Sequence, residues 1–261
     1  MQERPYQTIL VAEDEGVATI TLNRPERRNA IGTQMTNELV YALEDASAAE
    51  SVKSIVVTGA GKAFCAGGDF SQMTGGGSEE RLPFKGDYKD LLVALFHAHK
   101  PVVARVNGHA LGGGLGLVAS CTFAVASTGA KLGTPEVNVG LFPFMIMAVL
   151  ERVMPRRRLM EMMLSGERLT AEEAARVGLV NKAVAPEELD TAVKAYTDMI
   201  ASKSPSTLRL GLEAIRDTEE LRFEEKLPLL SERLGQCLST DDAREGLMAF
   251  LEKRQPNWTG R

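Results

Sequence analysis

The chain has 261 residues, 44% hydrophobic and 25% charged, with a formal net charge of −5. That suits one large globular core with room for a helical appendage, and it argues against nucleic acid or an anionic membrane as the main partner. Three cysteines, Cys65, Cys121 and Cys237, share no metal-like spacing, and their odd number argues against a disulfide framework, so a reducing cytosol or organelle matrix is expected, with the cytoplasm first.

The N-terminus carries acids early and has no apolar run of signal-peptide length. Tyr6 to Glu13 and Val17 to Asn23 read as strands joined by an Asp14-Glu15-Gly16 turn, and ATITLN alternates with period two. Thr33 to Ala49 carries a helical apolar stripe, with Thr33 as candidate N-cap. Lys53 to Gly59 is a buried strand, Ala60 to Asp87 is loop-like, Tyr88 to His99 is helical, and Pro101 opens a strand. Glycines 112 to 114 lead into an apolar helix, and a short strand follows near Thr122 to Ser127. This alternation predicts an α/β architecture. Met145 to Val153, Arg156 to Leu164 and Thr170 to Val177 read as helices, the last with a Thr170–Glu173 capping box. The apolar stretch around them, Val137 to Leu150, contains Asn138 and Pro143 and is too short to span a bilayer. After a strand at Leu179 to Val184, nearly everything from Pro186 to Lys253 reads as helix, punctuated at Ser204-Pro205 and Ser239-Thr240-Asp241.

The chemistry lies in AFCAGGDF (Ala63 to Phe70), NGHALGGGLGL (Asn107 to Leu117) and GTPEVNVG (Gly133 to Gly140). The first two follow β-strands and offer backbone without Cβ atoms, which lets main-chain N–H groups approach a ligand. Two such donors aimed at one point make an oxyanion hole, and a helix starting at the second segment adds its dipole. The plain alternative is a pair of tight turns. Gly114, Gly116 and Ala119 also fit a dinucleotide-type G-x-G-x-x-A, with Glu136 twenty residues after Gly116. Two features weigh against that reading. His109 to Leu111 stand between the preceding strand and the glycines, and Glu136 follows Gly-Thr-Pro rather than a second strand.

Across nearly its whole length the sequence resembles the crotonase (enoyl-CoA hydratase/isomerase) superfamily. LNRPERRNAI, VVTGAGKAFCAGGDF, KPVVARVNGHALGGGLGL, LSGERLTAEEAARVGLVNKAV and TDDAREGLMAFLEKR match that family's segments in order. The resemblance implies a spiral of ββα units over residues 1–200 and a C-terminal helical region, residues 201–261, that builds a homotrimer or a dimer of trimers. It implies an acyl-CoA thioester as substrate, no cofactor beyond the CoA of the substrate, and an oxyanion hole formed by the N–H groups of Gly68 and Gly113.

The family's two catalytic carboxylates align with Gly116 and Glu136, so only Glu136 remains as general acid/base. Hydration of a 2-enoyl-CoA divides its work between a water at C3 and a proton at C2, whereas moving a double bond from C3 to C2 needs a single base. The acid/base count therefore puts a Δ3,Δ2-enoyl-CoA isomerase first and a one-glutamate hydratase second. A non-catalytic CoA-binding scaffold is the rival of another class. By the same alignment, Arg24, Arg27, Arg28 and Lys62 sit near the CoA phosphates and nucleotide, with the backbone at Ala30 and Ala66 in contact. Phe250 and Lys253 complete the CoA site, commonly from a neighbouring subunit.

Gly116, Phe142, Phe144 and Met145, with Met147, are candidate acyl-pocket residues, although a Met/Phe run also suits a core. Asp69 is expected to cap the step out of the first glycine turn, and Thr74 to Glu80 to form a loop near the acyl end. The histidines lack metal-ligand spacing, and Cys65 lacks a partner base, so neither is expected to ligate or attack.

Overall fold

The computed structural model describes residue 2 and residues 4–69 and 82–261. Phe70 and the loop expected at Thr74 to Glu80 lie outside the described residues. Strands β1 (Ile9–Asp14) and β2 (Val17–Leu22) form a hairpin, and β2 alternates half-buried and buried residues as its period-two pattern requires. After β2 come β3 (Ser54–Gly59), β4 (Ala63–Cys65), β5 (Val102–Val106), β6 (His109–Leu111), β7 (Phe123–Ser127), β8 (Lys131–Gly133), β9 (Arg168–Thr170) and β10 (Lys182–Val184). The longer strands form one sheet of order β1-β2-β3-β5-β7-β10, parallel from β2 onward. Its central strand β3 is buried at every position, which is why SIVVTG reads as a continuous apolar run.

Each of β3, β5 and β7 is followed by a three-residue strand that leaves the sheet, and β4, β6 and β8 pair in parallel to start a second sheet of order β4-β6-β8-β9. Asn107 stitches one such corner: its Oδ1 accepts from Gly59 N at 3.1 Å and its Nδ2 donates to Gly61 O at 3.0 Å. Helices α1 (Thr33–Ala48), α2 (Tyr88–Phe96), α3 (Gly113–Ser120), α4 (Phe144–Leu150) and α5 (Arg156–Ser165) close the turns, giving the expected crotonase-like spiral of ββα units. Leu39, Leu43, Val57, Leu91, Leu95 and Leu117 fill the space between helices and sheets. Next come α6 (Ala171–Arg176), with the expected Thr170–Glu173 capping box, and α7 (Leu189–Ala201). The opposite face of the large sheet, at Val56, Val103 and Val125, is covered by α7 through Leu189, Val193 and Ile200. Helices α8 (Pro205–Thr218), α9 (Phe223–Leu238) and α10 (Asp241–Glu252) pack on one another, and Ser204 and Thr240 cap α8 and α10 at the two breaks read from the sequence. No helix among the described residues is long and apolar enough to cross a membrane.

Several expectations shift. Thr33 is the first helical residue of α1, and the N-cap position belongs to Gly32, which makes no side-chain cap bond. The stretch from Ala60 to Asp87 contains β4, whose three residues are too few to show a period. The helix from Tyr88 stops at Phe96, and the strand expected from Leu179 begins at Lys182.

Asn29 joins the first loop to the first spiral corner. It is fully buried with φ +55°, a left-handed conformation that Asn tolerates better than most residues. Its Nδ2 reaches the carbonyls of Ala60 (2.9 Å), Ala63 (2.9 Å) and Phe64 (3.1 Å), and its Oδ1 accepts from Arg24 N at 2.9 Å. Removing the amide orphans several buried backbone groups at once. Asn29→Ala is expected to lower unfolding stability by roughly 2–3 kcal/mol. A denaturant midpoint shift at unchanged slope would read this, and a shift equivalent to less than about 0.5 kcal/mol, the range of an ordinary surface substitution, contradicts it.

Candidate active site

The loop that Asn29 anchors runs into Ile31, which forms an isolated parallel bridge with Gly68. Ile31 N donates to Gly67 O at 2.8 Å, and Asp69 N donates to Ile31 O at 2.8 Å. In a parallel bridge these bonds engage the two flanks of Gly68, so its own N–H points away from Ile31. That N–H donates to no acceptor among the described residues, and a Cβ built at Gly68 meets nothing within 4 Å.

Gly113 is the first residue of α3, where a helical N–H has no intrahelical acceptor. Gly68 and Gly113 line one cavity of about 460 Å³ together with Glu136. Its other walls are mostly apolar and include Ile31, Leu141, Phe142, Phe144, Met145 and Ile146.

Glu136 sits in a 3-10 turn, Pro135–Val139, three residues beyond β8. Gly112 makes room for it. That residue has φ +52°, and a Cβ there would stand 2.8 Å from Glu136 Oε1, so both conformation and clearance require glycine. Glu136 Oε2 is buried without a hydrogen-bond partner among the described residues. Burial raises the Glu136 pKa above the ordinary 4.5, opposed in part by a hydrogen bond from its own backbone. A half-buried glutamate with one buried, unsatisfied oxygen at the wall of a cavity is poised to give or take a proton there.

Gly116 does not line the cavity. A Cβ on it would lie 2.4 Å from Ile146 Cγ2 and 2.4 Å from the Tyr88 hydroxyl. Gly116 thus sits behind Ile146 and Tyr88, which themselves line the cavity, and a side chain at 116 would have to displace them to reach it. Met147 is also outside the lining, while Phe142, Phe144 and Met145 are part of it.

Tyr88, which sequence reasoning passed over as the start of a helix, lines the cavity and donates to Gly113 O at 2.6 Å. Its pKa is pushed well above 10 by burial first and by its neighbours Cys65 and Glu136 second, so it stands as a neutral phenol. The only sequence signal for it was its place at the N-terminus of α2, behind an Asp87–Asp90 capping box that no helix-period argument singles out.

The expected CoA contacts divide into groups. Arg24 and Arg27 direct Nη1 atoms at the buried Asp69 carboxylate, at 2.9 and 3.2 Å. Asp69 is therefore an ion-pair anchor for both arginines, while the helix step it was expected to cap lies outside the described residues. Arg28 and Ala66 are joined by Ala66 N to Arg28 O at 3.0 Å. Arg28 and Lys62 are exposed and Ala30 is half-buried, and none of these residues lines the cavity. Phe250 and Lys253 lie at the far end of the chain on α10, which packs on α8 and α9, and within one chain they are not brought to the cavity.

The dinucleotide pattern also finds its answer. His109 to Leu111 are the strand β6, so the glycines do follow a strand directly. Yet Gly114 abuts Cys65, with a built Cβ 2.5 Å from its carbonyl, and Glu136 ends no strand. Cys65 is buried with its thiol pushed up to about 12, unsuited to attack. Among the described residues no group of three His, Cys, Asp or Glu could hold a metal.

The sequence profile of the family described as Enoyl-CoA hydratase/isomerase matches residues 12–261. The chain belongs to the enoyl-CoA hydratase/isomerase family. As a member it is an acyl-CoA-processing enzyme. It is 35% identical over 249 residues to the short-chain-enoyl-CoA hydratase of Clostridium acetobutylicum, covering 94% of this chain and 95% of that one. It is 33% identical to the crotonyl-CoA hydratase of Syntrophomonas wolfei, covering 97% and 98%. The crystal structure of an enoyl-CoA hydratase from Mycobacterium smegmatis matches with a TM-score of 0.90 at 35% identity, covering 97% of this chain and 99% of that one.

The burial of Glu136 has a direct spectroscopic consequence. In protein carrying 13C-labelled glutamate, the resonance that Glu136→Gln removes is expected to titrate above 4.5. An ordinary titration there would contradict the desolvated environment.

Proposed function

We propose that this chain adds water to 2-enoyl-CoA thioesters, with Glu136 as its one acid/base and the amides of Gly68 and Gly113 as its oxyanion hole. The observation that carries the proposal is the buried carboxyl oxygen of Glu136, unpartnered among the described residues, at a cavity lined by two glycines whose amides have no acceptor among those residues. Support for hydration comes from the relatives, which are named as hydratases. Glu136 as carboxylate takes a proton from water while the water oxygen bonds to C3. The C2=C3 pair shifts to C1–C2, and the C1=O pair moves onto the thioester oxygen, held by the two amides. The enolate then collapses, C2 takes the proton from Glu136, and the carboxylate returns. These steps call for no cofactor beyond the CoA of the substrate.

Isomerisation of a 3-enoyl-CoA is the second reading, favoured by the covered Gly116. It uses the same amides and has Glu136 carry a proton from C2 to C4. In either case the exposed Arg28 and Lys62 attract the CoA phosphates, while Arg24 and Arg27 are ion-paired with Asp69.

The same reading makes residues 201–261 an oligomerisation region. No residue of α9 is buried, and Phe223, Leu227, Leu230, Leu234 and Leu238 form an exposed apolar stripe at helical spacing. A homotrimer or a dimer of trimers would cover it and bring Phe250 and Lys253 to a neighbour's CoA site.

Glu136→Gln is expected to lower crotonyl-CoA hydration by about 10²–10⁴-fold with acetoacetyl-CoA binding retained; an unchanged rate overturns the assignment of Glu136. Conversion of 3-enoyl-CoA without conversion of 2-enoyl-CoA would instead establish the second reading. Because the base must be ionised, kcat/KM is expected to fall on the acid side through a pKa above 4.5. By light scattering the wild type should be a trimer or hexamer and Leu230→Asp/Leu234→Asp a smaller folded species. A monomeric wild type would remove the oligomer proposal.

A further inference from the structure

We propose that the Tyr88 hydroxyl holds the attacking water opposite Glu136, from the place where a side chain at residue 116 would otherwise stand. This rests on the hydration reading above. A water adding across a double bond must be aimed, and Glu136 accounts for only one of its two hydrogens. The second needs an acceptor within the cavity.

Tyr88 is built for that part. Its Oη lies 2.4 Å from a Cβ placed on Gly116, so a hydroxyl carried in from α2 occupies the volume into which the α3 residue would project. A Cβ on Gly113 would stand 3.4 Å from the Tyr88 ring, so the ring lies against the residue whose amide forms half of the oxyanion hole. The phenolic proton is committed to Gly113 O at 2.6 Å, which fixes the rotation of the O–H and turns the oxygen's lone pairs elsewhere. Ile146, buried and touching the same point above Gly116, closes the back of the niche with a methyl group that offers the water no competing partner.

In the step itself Tyr88 keeps its proton throughout. Glu136 takes one hydrogen of the water, and the other is donated to Tyr88 Oη until the hydroxyl oxygen is bonded to C3. The tyrosine leaves the reaction as it entered. Proton exchange at C2 of a saturated acyl-CoA needs the amides and Glu136 but no held water, so the two reactions should respond differently to loss of the hydroxyl.

The test compares Tyr88→Phe and Glu136→Gln with wild type in crotonyl-CoA hydration and in deuterium exchange at C2 of butyryl-CoA, with acetoacetyl-CoA affinity as the report on the amides. Tyr88→Phe is expected to lower hydration kcat about tenfold, the worth of one neutral hydrogen bond. Exchange and acetoacetyl-CoA affinity should each move less than about threefold, on the same scale. An equal fall in both reactions, or loss of acetoacetyl-CoA binding, overturns the proposal by assigning Tyr88 to the support of Gly113. Unchanged hydration overturns it outright. Glu136→Gln should abolish hydration and exchange together; if it spares both, the parent reading fails independently of Tyr88.

Discussion

Everything at this site depends on two backbone amides kept close to a cavity without an acceptor among the described residues. Buried N–H groups are normally paired, and a folded chain offers acceptors in every direction. At Gly68 the escape is the single bridge with Ile31, which engages Gly67 O and Asp69 N and leaves the residue between them turned outward. At Gly113 it is the helix start, where the hydrogen-bonding pattern has no acceptor to supply. Asn29 sits upstream of both, since it fixes the loop that carries Ile31 against the corner that carries β4.

Glu136 is brought to the same place by different means. The second sheet aligns β6 with β8, with Gly112 N bonded to Gly133 O at 2.9 Å, so the residues after each strand emerge side by side. The glycine turn follows one strand and the Pro135–Val139 turn follows the other. The carboxyl is thereby desolvated against Gly112, and its raised pKa is a consequence of strand pairing as much as of the glutamate itself.

A glycine at 116, where the family resemblance implies a carboxylate, reads from sequence as a loss. In the folded chain the space is taken by Ile146 and the Tyr88 hydroxyl, from helices α4 and α2. The cationic set changes in a similar way. Four basic residues look equivalent in the sequence, but Asp69 engages Arg24 and Arg27 and not Arg28 or Lys62.

The order of strands and helices, the helical tail, its caps at Ser204 and Thr240, and the pair of glycine turns with Glu136 were all legible from local signals. Periodicity, capping residues and glycine act over a few positions, and so they survive in one dimension. The exceptions were the short strands of the second sheet, β4, β6, β8 and β9, because three residues are too few to show a period and their pairing partners lie far along the chain. Tyr88 over Gly116, the bridge at Gly68 and the partners of Asp69 were likewise decided only in three dimensions. Each depends on which segments the spiral stacks together, and a residue's neighbours across that stack leave no mark on its own stretch of chain.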